Sequence, residues 1–498
     1  MQAKLRSEAA WCAALFSIAA IVRVLFLFGT VDRDLPFSIF YYGDSRIYRE
    51  FALALIRGDV FDQGIPLHPP AFAYVLSFVI DWVGERPTMV RGLLAIVSAS
   101  VVPMTYLIGR MLWGRAVGLT AAFLATFSFG LCVVSVSANA ETIYLPLLVA
   151  QALLLVSLGE SLGTERTRAI VVLTVASGLV LGLGALTRAE HLGYAFILPA
   201  ALALGWPAIP RRHIAAAAAA SAAIAVLVIL PWTIHNHRAL TRFNAANPGL
   251  VEPLPTWIGV SGTGPLVFAL ANNANADGTF QPGALTASMG VGRLDFLDPA
   301  QAEVYLHGYR QGGSFLARDP KAAAALLASK FALASDAYAL GFGLSNWPGG
   351  LTGTRRPVDL FTPEREGWKW ISLILLAVGI WVSRPVLRRA AILGLAALFV
   401  VAVTLASFGY ARFFLQLAPF VFLFQAAALV ALVSRLRTPG ARRAVSIAGA
   451  ALAALLTLEL AAAAAHPRNF RASGSVDPES GKIAQDAAIN IEPQPSRR

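Results

Sequence analysis

Apolar runs of about 20 residues recur along most of this chain, and they constrain its fold more than any other feature. A helix of that length, rising 1.5 Å per residue, matches the roughly 30 Å hydrocarbon thickness of a bilayer. Because 57% of the 498 residues are hydrophobic and only 14% are charged, a soluble core could not bury the apolar surface. The sequence therefore predicts an all-α polytopic membrane protein.

The lengths of these runs predict about eleven transmembrane helices. The approximate ranges are 9–29, 88–109, 116–135, 142–159, 170–186, 190–206, 214–234, 368–383, 390–407, 413–434 and 444–463. The first run follows basic residues like a signal peptide but lacks an A-x-A cleavage site, so we expect an uncleaved span. A further apolar stretch, 71–83, is short and contains Asp81, and it is either another span or an interfacial helix.

The formal net charge of +12 is explained by the distribution of the basic residues between loops. If 71–83 lies in the interface, six short cytoplasmic segments hold fifteen Lys and Arg, whereas the short outer loops hold only Arg188 and Arg412. Counting 71–83 as a span would move thirteen of those fifteen cations to the outside. The interfacial interpretation is therefore favoured, and the charge indicates topology and no nucleic-acid partner.

This topology divides the chain into four parts. Residues 1–234 form a transmembrane module whose first outer loop is 30–87, and 235–367 form a large extracytoplasmic region. Residues 368–465 form the C-terminal transmembrane helices, and 466–498 form a polar tail. The two cysteines offer no disulfide framework, because they fall at opposite predicted depths.

Polar residues gather at the outer mouth of the predicted bundle. Two roles fit Asp44 in the first outer loop: a helix N-cap or solvated acid, and a general base. Glu141 precedes the fourth span, where an acid also suits the helix dipole. Arg188 ends the fifth span, and Tyr410 and Arg412 precede the tenth. An outer arginine either snorkels to lipid phosphate or holds a substrate phosphate through two hydrogen bonds.

Two further candidates lie near the first outer loop. His68 precedes Pro69 and Pro70, which can also mark the start of a helix. Arg91, near the outer end of the second span, either keeps Asp44 ionised or makes a structural pair.

The chain resembles bacterial glycosyltransferases related to protein O-mannosyltransferases and to the aminoarabinose transferase of lipid A, through the succession GDSRIY, HPP, SANAETI, LTRAEH, LPWTIHN and GYARFFLQLAP. The resemblance covers roughly 9–240 well and 368–434 loosely. It implies the C-type glycosyltransferase fold, with interfacial helices in the first outer loop. It also implies transfer of a hexosyl or pentosyl group from a polyprenyl-phosphate donor to an envelope glycan, lipid or protein, at the outer face of a bacterial plasma membrane.

The resemblance also implies roles for individual residues. Asp44 matches the catalytic acid, which deprotonates the acceptor hydroxyl for a single inverting displacement. Arg188 matches a basic residue that stabilises the leaving phosphate, and Arg412 is the second candidate for this role. The sequence departs from the family at His68, where some members carry glutamate, and at Pro69, where they carry lysine.

Glu141 stands where the family often has aspartate, and it is expected to orient the acceptor or to ligate a divalent metal; no other cofactor is implied. The outer stretch 236–367, which contains Asn272, Asn273 and the segment 347–350, is expected to close over the site and contact the acceptor. Three other functions compete: a lipid or polysaccharide flippase or exporter, a non-catalytic envelope scaffold, and an oligosaccharide ligase. The chain shows no internal repeat typical of transporters, which weighs against the first of them.

Overall fold

A computed structural model describes residues 2–30, 33–36, 42–59, 61–280, 285, 294–335, 365–436, 438–465, 475–476 and 483–484. Within these residues the chain is helical apart from loops and one antiparallel pair of two-residue strands, Ser475–Val476 and Ile483–Ala484. The predicted all-α class is therefore confirmed. The segment 347–350 and all of the tail except this strand pair lie outside the described residues.

The first eleven α-helices lie within residues 2–246. These are α1 Gln2–Gly29, α2 Tyr42–Arg57, α3 Ala71–Val83, α4 Pro87–Ser98, α5 Val101–Leu112, α6 Arg115–Thr126, α7 Phe129–Val136, α8 Ala140–Gly163, α9 Thr167–Thr187, α10 Tyr194–Gly205 and α11 Arg211–Ala246. Next come α12 Gly264–Ala271, α13 Pro299–Arg318, α14 Pro320–Ser335, α15 Arg365–Val382, α16 Ala391–Ala406, α17 Ala411–Leu415, α18 Ala418–Ser434 and α19 Pro439–Ala465. Short 3-10 helices cover Phe61–Gly64, Ala189–Gly193 and Arg384–Val386.

The helices long and apolar enough to cross a membrane coincide with predicted spans, and the protein is a multi-pass membrane protein. Six described helical stretches meet this standard, and the bent pair α6–α7 makes a seventh. The other four predicted spans correspond to shorter apolar helices, at Ala189–Gly205, Lys369–Val382, Ala391–Ala406 and Ala418–Ser434. The total of eleven spans therefore stays a prediction.

The third predicted span, 116–135, is broken into α6 and α7, whose axes differ by 58°. The hydroxyl of Ser128 accepts a hydrogen bond from the amide of Leu131 at 3.3 Å and caps the start of α7. A serine cap satisfies a free helical amide and favours a new helix start. The break aims α7 and the following loop at the residues of the first outer loop.

Close packing of α9 against α11 depends on two glycines one helical turn apart. A Cβ atom on Gly178 would lie 2.7 Å from the Cβ of Ile224, and one on Gly182 would lie 2.6 Å from the Cβ of Val228. Small residues at this spacing let membrane helices approach closely. This contact fixes α9 and α11 relative to each other.

Helix α3 coincides with the predicted interfacial stretch 71–83. Its 13 residues span only about 20 Å, less than the hydrocarbon thickness. Phe72 and Leu76 are buried, whereas Phe78 and Trp82 on the other face are about 70% exposed. Such a helix suits a position along the membrane surface, with one apolar face on the protein and the other toward lipid.

Candidate active site

Asp44 lies in the first turn of α2, which begins at Tyr42, so it is inside the helix and not at the N-cap. Its carboxylate Oδ2 receives a hydrogen bond from Nη1 of Arg412, which follows it by 368 residues. Burial opposes ionisation of Asp44, but the charge and hydrogen bond of Arg412 outweigh it, so the pKa of Asp44 lies below its ordinary value. The carboxylate is therefore ionised while this pair is intact.

The start of α2 is anchored to the loop between α7 and α8. The hydroxyl of Ser45, which is fully buried, donates a hydrogen bond to the carbonyl oxygen of Ser137 at 2.5 Å. Beyond this loop, Asn139 caps α8 and forms a capping box with Thr142. These contacts place Asp44 and the first turn of α8, which carries Glu141, at the same end of the bundle.

Glu141 and Arg188 form the second half of the same cluster. Nη1 of Arg188 donates to Oε1 of Glu141 at 2.5 Å, and Nε of Arg188 donates to Oε1 of Glu190 at 2.5 Å. Nε of Arg412 lies 4.0 Å from that same Oε1 of Glu141. The order of charges is thus Asp44, Arg412, Glu141, Arg188 and Glu190, which we call the charge chain. Its three carboxylates and two guanidinium groups leave one excess negative charge.

Aromatic rings support both arginines of the charge chain. The guanidinium carbon of Arg188 lies 5.1 Å from the ring centre of Phe413, and that of Arg412 lies 5.4 Å from it. Tyr144 and Tyr410 contact the two arginines in the same way, at 5.6 and 5.2 Å respectively. Cation–π contacts stabilise a charged group without consuming its hydrogen-bond donors. The rings therefore stabilise both guanidinium groups at their positions in the charge chain.

Residues between α11 and α15 hold the segment that carries Tyr410 and Arg412. The hydroxyl of Tyr410 accepts a hydrogen bond from the amide of Phe280 at 2.8 Å, and the amide of Gly409 donates to the carbonyl of Gly278 at 2.8 Å. A Cβ atom on Gly409 would lie 2.5 Å from the Cα of Lys330, so this approach requires glycine. Arg412 is thus positioned by contacts with residues far away in sequence.

Lys330, on α14, is the buried residue against which Gly409 packs. Its Nζ donates to Oδ1 of Asn272 at 2.8 Å and to the carbonyl oxygen of Leu405 at 3.0 Å. The amide of the Asn272 side chain also donates to the carbonyl of Ala406 at 2.8 Å. Burial lowers the pKa of Lys330 to about 7. Of the two asparagines noted in the sequence, Asn272 takes part in this contact; the role of Lys330 was not anticipated.

His68 pairs with an acid that the sequence did not single out. Asp62 accepts a hydrogen bond from the amide of His68 at 2.6 Å, and its carboxylate lies 3.1 Å from Nδ1 of the imidazole. Burial lowers the pKa of His68, but the charge and hydrogen bond of Asp62, together with the charge of Asp44, raise it to a net value above normal. Asp62 is buried at φ +49°, a backbone region that aspartate tolerates better than most residues.

Arg91 is buried in α4, where its Nε donates to the carbonyl oxygen of Val136 at 2.7 Å. This contact ties α4 to the end of α7. The guanidinium that contacts Asp44 belongs to Arg412. The bond to Val136 suits the structural role considered for Arg91, whose function stays a prediction.

A cavity of about 20 Å³, roughly the room that one water molecule needs, adjoins the charge chain. It is lined by Tyr144, Arg188, Glu190, Phe399, Val400, Val403, Thr404, Phe413 and Gln416. A sugar phosphate is far larger than this cavity. Donor binding at this place therefore requires side chains of the cluster to move.

A divalent metal near Glu141 is one of the expectations from the sequence. Nowhere among the described residues do three or more His, Cys, Asp or Glu side chains lie close enough to share a metal ion. The carboxylate of Glu141, the one acid considered as a metal ligand, contacts the guanidinium group of Arg188. The mechanism considered below uses side chains alone, and a divalent metal stays a prediction.

Comparison with known proteins supports the fold and the resemblance. Residues 67–235 match the family model of dolichyl-phosphate-mannose-protein mannosyltransferase, which confirms the resemblance over about a third of the chain. No curated protein matches the sequence.

The apo oligosaccharyltransferase of Archaeoglobus fulgidus superposes with a TM-score of 0.50 at 14% identity, covering 95% of this chain and 56% of that one. This likeness shows the C-type fold, and the chain spans just over half the length of that enzyme. The same enzyme, named AglB, in complex with an inhibitory peptide and a dolichol-phosphate gives a TM-score of 0.49 at 15% identity, covering 95% and 56%. ArnT of Cupriavidus metallidurans bound to undecaprenyl phosphate gives 0.35 at 15% identity, covering 85% and 78%.

Proposed function

We propose that this protein transfers a sugar from a polyprenyl-phosphate donor to an acceptor hydroxyl of the cell envelope, at the outer face of a bacterial plasma membrane. One observation carries the proposal: the charge chain unites an ionised acid with two arginines from distant parts of the sequence at one end of the bundle. The family match of residues 67–235 supports a sugar-phosphate lipid as the donor.

In the proposed reaction the acceptor oxygen attacks the anomeric carbon while the bond from that carbon to the phosphate oxygen breaks. The acceptor proton passes to the carboxylate of Asp44. The sugar changes configuration once, and polyprenyl phosphate leaves with the bonding electrons. Guanidinium groups near that phosphate would stabilise the charge that develops on it.

The charge chain must rearrange to accept a phosphate, because it already carries an excess of negative charge. Arg188 contacts two carboxylates at 2.5 Å, and Arg412 contacts Asp44 and lies 4.0 Å from Glu141. We propose that Arg412 exchanges Asp44 for the donor phosphate and is the first phosphate ligand, with Arg188 as the second, in reverse of the order that the sequence suggested.

This exchange would couple donor binding to activation of the base. When Arg412 turns to the phosphate, Asp44 loses the partner that lowers its pKa, and the pKa rises toward or above its ordinary value. A carboxylate of higher pKa accepts a proton more readily. Asp44 would thus become an effective base only when the donor is present.

Transfer by reconstituted protein tests the proposal. Proteoliposomes given a synthetic polyprenyl-phosphate hexose and envelope acceptors should release polyprenyl phosphate and form a glycosylated product, whose mass shift distinguishes one sugar from an oligosaccharide. Asp44→Asn should lower the rate by about 10²- to 10⁴-fold. Glu50→Gln, on the exposed side of the same helix, is the matched control and should keep the wild-type rate. Undiminished transfer by Asp44→Asn would remove Asp44 from the role.

The orientation is tested separately by cysteine labelling. Thr241 and Thr164 are both exposed, and the predicted topology puts them outside and inside respectively. A membrane-impermeant maleimide should label Thr241→Cys in intact cells and Thr164→Cys only after permeabilisation. The reverse pattern would place the charge chain on the cytoplasmic side.

A further inference from the structure

The outer end of α11 carries an open groove that the proposed reaction does not use. The groove has a volume of about 550 Å³ and is lined by Pro231, Ile234, His235, His237, Arg238, Thr241 and Arg242. Two arginines and two histidines face it, and the lining contains no carboxylate. We call it the outer cationic groove.

Stacked aromatic contacts fix the shape of this groove. The imidazole of His235 stacks on Trp232 with ring centres 4.7 Å apart, and His237 stacks on Trp257 at 4.1 Å. The indole nitrogen of Trp232 donates to the carbonyl of Val260 at 2.9 Å, which ties α11 to the following loop. The two histidines of the lining are therefore held in place by these rings, beside Arg238 and Arg242.

The two arginines of the groove have no acid partner among the described residues. Arg238 and Arg242 are exposed, and Nε of Arg242 donates only to the backbone carbonyl of Arg238, at 3.3 Å. Every arginine of the charge chain, in contrast, contacts a carboxylate. Unpaired guanidinium groups one helical turn apart can hold a phosphate through several charge-assisted hydrogen bonds.

The depth of the groove indicates where that phosphate comes from. The apolar part of α11 runs from Ile214 to Ile234, and its length matches the roughly 30 Å hydrocarbon layer. Arg238 then lies about 6 Å and Arg242 about 12 Å beyond this layer, within or just outside the head-group zone. Below them, Leu227 and Leu230 are 65% and 41% exposed on the same face of the helix. The stripe is thus apolar at acyl-chain depth and cationic at head-group depth.

The groove is on the same side of the bundle as the charge chain. Ile229 of α11 packs with Ala185, one turn before Arg188, so residues after Ile229 lie beyond that end of α9. Trp232 also contacts Phe61 of the first outer loop at 5.9 Å between ring centres.

We infer that the outer cationic groove binds the phosphate of an anionic lipid in the outer leaflet, with the acyl chains along the exposed apolar stripe of α11. This site is separate from the charge chain, and its occupation does not depend on the proposed transfer reaction.

Lipid binding measured by native mass spectrometry tests the inference. Delipidated full-length protein is titrated with phosphatidylglycerol, with diacylglycerol of the same chains, and with glycerol 3-phosphate. We expect one saturable phosphatidylglycerol site whose affinity falls about tenfold or more in Arg238→Gln/Arg242→Gln. Arg211→Gln/Arg212→Gln removes two exposed charges from the other end of α11 and should bind as the wild type does.

Three outcomes would overturn the inference. Equal phosphatidylglycerol binding by both double variants would show that Arg238 and Arg242 hold no lipid. Equally tight diacylglycerol binding would show that the phosphate is not recognised. Displacement of the lipid by glycerol 3-phosphate at similar concentration would indicate a site for soluble anions. If the first double variant fails to fold, a photoreactive residue at the exposed position Thr241 must crosslink phosphatidylglycerol and not diacylglycerol.

Discussion

Replacement of Arg412 by glutamine removes the charge that links Asp44 to the rest of the charge chain. The side chain of Arg412 is 11% exposed and that of Asp44 is 38% exposed, so the pair is only partly shielded from water. Breaking a buried ion pair costs about 3–5 kcal/mol, but Asp44 can hydrate when it loses its partner. We therefore expect a loss of about 1–2 kcal/mol in the free energy of unfolding, after this discount for solvent.

The same substitution should affect transfer more than stability. Loss of one preorganised donor to a developing negative charge costs about 10²- to 10³-fold in rate. Arg412→Lys keeps the charge but lacks the planar fork of donors, so it should recover only part of the rate. Both rates are measured as polyprenyl phosphate released by proteoliposomes, and thermal unfolding in detergent reports the stability of each variant.

The pH dependence of the free energy of unfolding at acid pH gives independent evidence for the Asp44–Arg412 pair. Because the pKa of Asp44 is lowered in the folded protein, the pair stabilises it above the ordinary pKa, and this contribution is lost as the pH falls through the lowered pKa. Arg412→Gln should lack that part of the pH dependence. The reasoning is refuted if Arg412→Gln transfers sugar at more than about a third of the wild-type rate, a deficit far below the expected loss.

Three other substitutions have defined outcomes. Between pH 7 and 9 the free energy of unfolding of the wild type should rise, because the unfolded lysine keeps a proton that the folded Lys330 has released. Lys330→Met should abolish this rise. Lys321→Met, a change at an exposed position of the same helix, should retain it. Asp62→Asn, which also tolerates positive φ, should lower the NMR titration midpoint of His68, and an unchanged midpoint would contradict the pairing. Gly178→Leu should lower the free energy of unfolding by about 1–3 kcal/mol, whereas Gly394→Leu, with open space around it, should not; equal effects would contradict the close packing of α9 and α11.

Much of the fold follows from local composition. The predicted span 142–159 lies within α8, which covers Ala140–Gly163, and the interfacial stretch 71–83 coincides with α3. These elements are predictable because an apolar run in a bilayer must be helical, and its length decides whether it can span the membrane. The break at Ser128 was missed, since the residues on both sides of it are equally apolar and only the hydrogen bond to Leu131 reveals the new helix.

The candidate site was predictable as a set of residues but not as a set of pairs. Asp44, Glu141, Arg188 and Arg412 can be identified from the sequence alone, because each is a charged residue at the outer end of a predicted span or in an outer loop. Which acid meets which arginine depends on packing between segments up to 368 residues apart, which local pattern does not encode. Lys330 was missed because a lysine in the predicted extracytoplasmic region looks solvated in sequence, whereas here it is fully buried against the end of α16.

The account depends on a lipid-linked sugar phosphate reaching the charge chain, and a structure with bound donor tests this most directly. In the presence of a polyprenyl-phosphate hexose, we predict phosphate oxygens about 2.7–3.2 Å from the guanidinium nitrogens of Arg412 or Arg188, with Asp44 separated from Arg412 and facing the sugar. A donor phosphate held elsewhere, with the Asp44–Arg412 pair unbroken, would contradict the proposed active site.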